Sequence, residues 1–241
     1  MALLEVREIS KNFAGIAAVS DLSFDVEERE IVGLIGPNGA GKTTAFNVIT
    51  GFYRPENGNI TFQGRELVGL KPHQICKMGL GRTFQIVKPF PDISTFRNVR
   101  VGVFNRVRDV KRATEETERI LEEVGLAAKR DQLAGNLTIP DRKRLELGRA
   151  LGTKPKLLLL DEVMAGLTPK EVEDFVGLIK KINRTGVTIL MIEHVMRGVM
   201  ALSDRIVVIH HGVKIATGSP GEISKDERVI KVYLGEGYLI A

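Results

Sequence analysis

Gly36-Pro37-Asn38-Gly39-Ala40-Gly41-Lys42-Thr43 satisfies the spacing G-x-x-x-x-G-K-[ST]. A continuous apolar run, Glu30 to Ile35, precedes it and reads as a buried parallel strand. A helix is expected to open at Lys42 and run to about Thr50. Strand before and helix after is the context that separates a phosphate-binding loop from a chance glycine turn. The glycines let the backbone curl around an anion, and loop N–H groups with the helix dipole supply positive potential there. Lys42 is placed to reach the β- and γ-phosphates of a nucleotide, and the Thr43 hydroxyl to serve Mg2+. The nucleotide-binding set is Gly36, Pro37, Asn38, Gly39, Ala40, Gly41, Lys42, Thr43 and Thr44.

Such a loop requires a distant partner, an apolar strand ending in an acid that serves the metal. Leu157-Leu158-Leu159-Leu160-Asp161-Glu162 has that form. Asp161 is expected to bind Mg2+ through water, and Glu162 to polarise an attacking water. Adjacent acids at the end of a buried strand are costly unless a cation or hydrogen bonds stand near. The competing reading is that one of them merely caps the following turn. The two motifs together describe a P-loop NTPase.

Around them the chain alternates strand and helix. Residues 2–9 and 21–35 read as strands, with Leu22, Phe24 and Val26 alternating against polar neighbours. Asn57-Gly58 reads as a turn before a short strand, Asn59 to Gln63. Residues 86–152 change character: Pro89 and Pro91 lead into helical patterning that includes Ile120, Leu121 and Val124. Thr168-Pro169-Lys170-Glu171 is a capping box, and Val172, Phe175, Ile179 and Ile182 form one apolar stripe behind it. Thr185-Gly186 ends that helix, and Val187 to Ile192 reads as another buried strand. Ile206 to Ile209 and Val213 to Ala216 flank His210-His211-Gly212 as a hairpin. The alternation argues for an α/β fold with a mainly parallel sheet covered by helices.

The 241 residues are 43% hydrophobic and 27% charged, with a net charge of +5 and one cysteine, Cys76. These values exclude collagen-like, wholly disordered and disulfide-stapled classes, and favour a reducing compartment. No run approaches the ~20 apolar residues of a membrane span, and residues 1–10 do not read as a secretory signal. The mild positive charge permits nucleic acid or an acidic membrane surface, but an ordinary solvated surface is the simpler explanation. His73, His210 and His211 have no metal-ligand partners at useful spacing and read as surface or turn residues.

Four further features complete a pattern: Gln85 in Gly81-Arg82-Thr83-Phe84-Gln85, Leu137-Thr138-Ile139-Pro140-Asp141 before a basic helix, Ala165-Gly166-Leu167-Thr168 after the acids, and His194 after the strand ending at Ile192. That order resembles the nucleotide-binding subunit of ATP-binding cassette (ABC) transporters along nearly the whole chain. Residues 160–174, LDEVMAGLTPKEVED, and the GRTFQ run are most similar to LivG-type subunits of branched-chain amino acid importers. Importers of amides, urea or aromatic acids share such subunits.

The resemblance implies a P-loop NTPase core with an antiparallel β subdomain and an inserted α-helical subdomain. It implies one domain over 1–241, with core segments 1–85 and 153–241 and a helical segment 86–152. It implies ATP and Mg2+ as cofactors. Implied partners are membrane permease subunits, a second ABC ATPase subunit in a homodimer or heterodimer, and indirectly an extracytoplasmic solute-binding protein, with no nucleic acid. The location is peripheral, at the cytoplasmic face of the cell membrane. Phe13 would stack on adenine; its competing reading is a core Phe. Gln85 would contact Mg2+ or the water and couple the site to the helical insert. His194 would hold the γ-phosphate and the water.

The family's signature is usually L-S-G-G-Q, which covers the partner subunit's nucleotide. Here Leu137, Thr138, Ile139, Pro140 and Asp141 stand in its place. Pro140 lacks an N–H donor and favours the first helical position, and Asp141 adds negative charge near phosphate. The chain therefore reads as a weak signature donor that pairs with an ATPase subunit bearing a fuller signature. Val163, where the family often has Pro, alters only a turn. Arg106, Arg108, Lys111 and Arg112 read either as a solvated face or as contacts to lipid headgroups. The rival readings are a soluble ABC ATPase acting in DNA maintenance or cofactor assembly, and an ordinary P-loop kinase or GTPase. The first lacks a long coiled coil here, and the second does not explain the order of Gln85, signature, acids and His194.

Overall fold

The structure, a computed structural model, describes residues 2–85 and 88–234. The expected start of the helical segment at residue 86 lies outside the described residues. In chain order the elements are β1 (Ala2–Phe13), β2 (Ile16–Glu27), β3 (Ile31–Ile35), α1 (Lys42–Ile49), β4 (Asn57–Phe62), β5 (Arg65–Glu66), α2 (Pro72–Met78) and β6 (Leu80–Arg82). Then follow α3 (Thr95–Val103), α4 (Val110–Glu123), α5 (Ile139–Gly152), β7 (Leu157–Asp161), α6 (Pro169–Arg184) and β8 (Thr188–Ile192). The last are α7 (Met196–Leu202), β9 (Arg205–His210), β10 (Val213–Gly218), α8 (Pro220–Ile223) and α9 (Glu227–Leu234).

Among the described residues the strands form two sheets, a four-stranded one ordered β2-β1-β4-β5 and a six-stranded one ordered β10-β9-β3-β8-β7-β6. The first is antiparallel throughout. In the second, β6, β7, β8, β3 and β9 run parallel and only β10 turns back.

The apolar runs of β3, β7 and β8 are continuous because both faces of the sheet are covered. Their side chains divide with period 2. Leu157, Leu159, Leu190 and Ile192 join the core under the antiparallel sheet and α1, with Phe46 and Phe62. Leu158, Leu160, Ile189 and Met191 join a second core with Phe175, Ile179, Leu145 and Val99. The parallel strands end on one side, so the loops after β3, β7 and β8 converge there.

Several expectations need correction. The stretch 21–35 is not one strand: it breaks at Arg29, whose φ is +65°, and its halves enter different sheets. Asn57-Gly58 begins β4 and makes no turn. Gly58 has φ +83°, and a Cβ there would lie 2.4 Å from the Arg7 carbonyl oxygen, beside the register slip between Arg7 and Ser10 of β1. The glycine is required by close backbone approach at a bulge. Pro140 is the second residue of α5; Ile139 is the first, after the Thr138 N-cap. Arg106 is not a free surface cation, because it donates to the Thr153 carbonyl at 2.9 Å and the Cys76 carbonyl at 3.0 Å.

Helices α3 and α5 touch backbone to backbone. A Cβ on Gly102 would lie 2.2 Å from the Arg149 carbonyl oxygen. Gly102→Ala must therefore push α3 away from α5 and is expected to cost about 1–3 kcal/mol. Chemical denaturation measures this; an unchanged midpoint contradicts the packing described.

Candidate active site

The 36–44 loop closes on itself around Lys42. Gly39 and Gly41 have φ of +79° and +100°, and a Cβ on Gly41 would sit 2.2 Å from the Ala18 carbonyl oxygen of β2. Lys42 is buried, and its ammonium donates to the carbonyls of Gly36 at 2.7 Å and Pro37 at 2.9 Å. Burial lowers its pKa, and the nearby Glu162 and Asp161 carboxylates oppose that. Thr43 is exposed at the start of α1. Its side chain, with Asp161, Gln85, Arg82, Phe84, Lys88, Glu146 and Arg149, lines a cavity of about 490 Å³.

Asp161 ends β7 with only 2% of its surface exposed. Its Oδ2 accepts from Arg82 at 2.8 Å, and its backbone N–H donates to the Thr83 hydroxyl at 3.1 Å. Arg82 also donates to Asn47 at 2.7 Å and Thr50 at 3.0 Å, and its guanidinium lies over the rings of Phe46, Phe52 and Phe84. Burial raises the Asp161 pKa, Glu162 adds to that, and Arg82 and Lys42 oppose it.

Glu162 sits in the left-handed region, φ +51°, which turns its side chain out of the strand end. Its Oε2 accepts from the Gln85 amide at 2.6 Å, and its Oε1 lies 3.0 Å from His194 Nε2. Gln85, Glu162 and His194 are thus brought together, although they come from separate parts of the chain. Two buried residues support them. Lys143 donates to the Glu162 carbonyl at 3.1 Å. Glu193 accepts the N–H groups of Met164 at 2.6 Å and His194 at 3.2 Å. Burial lowers the Lys143 pKa and raises that of Glu193.

The donor set fits Mg2+. Asp161 Oδ1 is buried with no hydrogen-bond partner, and Thr43 and Gln85 add neutral oxygen donors to the same cavity. Among the described residues no cluster of three or more His, Cys, Asp or Glu could hold a metal. An ion here would depend on few protein oxygens together with phosphate, which suits Mg2+ better than a protein-caged metal.

Phe13 is not a core residue. It is 40% exposed at the tip of the β1–β2 hairpin, with its ring edge-on to Tyr53 at 5.1 Å. In the signature segment, Thr138 accepts from the Asp141 N–H as the N-cap of α5, and its hydroxyl donates to Asp141 Oδ2 at 2.7 Å. Asp141 is also paired with Lys129. Burial opposes ionisation of Asp141, but Lys129 and Thr138 outweigh it and hold the carboxyl below its ordinary pKa. Its charge is therefore not the bare repulsive charge that the sequence suggests.

Sequence reasoning passed over Arg82, Lys143, Glu146 and Glu193. Arg82 stands inside the GRTFQ run itself. Lys143 and Glu146 share a helical face with Leu147 and Ala150, at i, i+3, i+4 and i+7, where apolar residues are the rule. Two charges on such a face are the signal that could have found them. Glu193 immediately precedes His194.

A family model described as ABC transporter matches residues 19–165, the stretch that carries the phosphate loop, Gln85 and the two acids. The chain belongs to the ABC transporter family and is its ATP-hydrolysing cassette. More particularly, residues 213–238 match the family Branched-chain amino acid ATP-binding cassette transporter. The chain is 43% identical to the High-affinity branched-chain amino acid transport ATP-binding protein LivG of Salmonella typhimurium, over 97% of this chain and 98% of that protein. It is 42% identical to BraF of Pseudomonas aeruginosa over the same shares. A crystal structure of a nucleotide-free ATP-binding cassette from an ABC transporter superposes with a TM-score of 0.89 at 30% identity, covering 98% of this chain and all of that one.

Glu146 supplies a test of the site's electrostatics. It is buried on α5, and burial pushes its pKa from 4.5 up to about 7. Between those values the folded state holds a proton that the unfolded state has lost, so this group lowers stability as pH rises through that window. Glu146→Gln removes the titration. Relative to the unmodified protein, its unfolding temperature is expected to rise between pH 5 and pH 8; a constant difference contradicts the shift.

Proposed function

We propose that this cassette powers import of branched-chain amino acids from the cytoplasmic face of a membrane, peripherally bound to permease subunits. The observation that carries the chemistry is Glu162, with one carboxylate oxygen on the Gln85 amide and the other facing His194. A carboxylate held at both oxygens is oriented before substrate arrives, as a general base needs.

ATP phosphates bind the 36–44 loop, where Lys42 leaves the Gly36 and Pro37 carbonyls for the β- and γ-phosphates. Phe13, exposed beside Tyr53, supplies the ring for adenine. Glu162 accepts the proton of the water that attacks the γ-phosphorus, the bond from that phosphorus to the β–γ bridging oxygen breaks, and ADP leaves with the electron pair, while Gln85 and His194 align water and phosphate. Thr43, Asp161 and Gln85 would hold Mg2+, which when bound neutralises phosphate charge.

No helix among the described residues is long and apolar enough to cross a membrane, and in this reading the permeases supply the span. Their place is the groove of about 370 Å³ between α2, β6, α3 and α5, which exposes Phe52, Phe84 and Val101. An apolar permease segment would cover those rings. A solute-binding protein outside the membrane would deliver the amino acid to the permeases.

The signature segment supports a heterodimer. Pro140 lacks an N–H, and the Thr138 hydroxyl is engaged with Asp141. A second ATPase subunit with free donors would complete this chain's site better than a second copy. Proteoliposomes with both permeases test the whole reading through leucine uptake and ATP turnover. We expect slow turnover by the chain alone, acceleration only with a second ATPase subunit and permeases, and a loss of about 10²–10⁴-fold in Glu162→Gln with ATP binding kept. Full cooperative turnover by the chain alone, or normal turnover by Glu162→Gln, would overturn it.

A further inference from the structure

Three charged residues at three-residue spacing along α5 each contact backbone of the catalytic region. Lys143 donates to the Glu162 carbonyl at 3.1 Å, Glu146 accepts the Phe84 N–H, and Arg149 donates to the Lys88 carbonyl at 3.0 Å. Glu146 is only 7% exposed and Lys143 only 8%. Charges are rarely placed on a buried helix face without a specific partner. Phe84 and Lys88 stand on either side of Gln85, whose amide reaches Glu162 at 2.6 Å. Arg149 also lies over the Phe90 ring at 5.1 Å. Glu146 and Arg149 line both the 370 Å³ groove and the 490 Å³ cavity at Thr43 and Asp161.

We propose that Glu146 and Arg149 are positioning residues that grip the backbone on both sides of Gln85, so that helix α5 sets the reach of Gln85 to Glu162. This rests on the reading of Gln85 as a participant at the Glu162 site. A shift of α5, whose first turn carries the signature segment, moves the two grips together because they lie one helical turn apart. Occupancy of the groove reaches the same two side chains. Neither residue touches the reacting atoms; both act through Gln85.

The test is a kinetic double-mutant cycle on the assembled transporter. Glu146→Leu removes the acceptor and is expected to lower kcat about tenfold with KM for ATP unchanged within about twofold. Glu146→Gln keeps an acceptor oxygen and should retain kcat within about threefold. In a Gln85→Ala background, Glu146→Leu and Arg149→Met should cause no further loss, because they act through the missing side chain. Unfolding temperatures followed in parallel separate positioning from loss of fold, and Arg149→Met, on a partly exposed contact, serves if Glu146→Leu does not fold. Losses that multiply in the double variants overturn the proposal while leaving the role of Gln85 intact. Full activity in Gln85→Ala overturns the underlying reading, and this proposal with it.

Discussion

Two adjacent acids at the end of a buried strand are the constraint around which the structure is arranged. Asp161 is almost without exposure, and Glu162 follows it directly. Left alone, a carboxylate buried like that of Asp161 would cost several kcal/mol in desolvation. Each neighbouring element answers part of that cost. The end of β6 brings Arg82 against Asp161, and α5 brings Lys143 to the Glu162 carbonyl. The loop after β8 brings His194 to the Glu162 carboxylate, with Glu193 fixing the His194 backbone. The loop before α1 places the Lys42 charge beside both acids. Because the strands are parallel, all these groups emerge on one side of the sheet.

The residues between Arg82 and Gln85 show how tightly the arrangement is shared. Arg82 pairs with Asp161, the Thr83 hydroxyl accepts from the Asp161 N–H, the Phe84 N–H reaches Glu146, and Gln85 reaches Glu162. Four consecutive residues thus hold two acids and one helix. The same stretch borders the groove through the ring of Phe84, which with that of Phe52 flanks the Arg82 guanidinium. A partner pressing on those rings would act on the group that neutralises Asp161.

Local grammar made much of this legible in the sequence. The glycine loop, the Leu157–Asp161 strand and the Thr168 capping box are written in adjacent residues, and each forms as read. Gly58 was misread because a positive φ at a bulge and one in a turn favour the same residue. Ser219-Pro220-Gly221-Glu222 has the same grammar as the Thr168 box and forms the same reciprocal cap, yet its helix is short and its apolar stripe too brief to attract notice. The supporting charges were harder to see because their partners are distant: Arg82 meets Asp161, and Glu146 meets Phe84, only through the sheet and the packing of α5. Asp141 looked repulsive for the same reason, since its neutralising Lys129 precedes the signature segment by a separate turn.

The most direct test of the central constraint is a stability cycle on the Arg82–Asp161 pair by denaturant unfolding. Arg82→Met leaves a buried carboxylate uncompensated and should cost about 3–5 kcal/mol. Adding Asp161→Asn removes that charge and should recover most of the loss, giving strong coupling between the two positions. Additive losses would contradict the account, because they would mean that the acids at the end of β7 do not depend on the charges assembled around them.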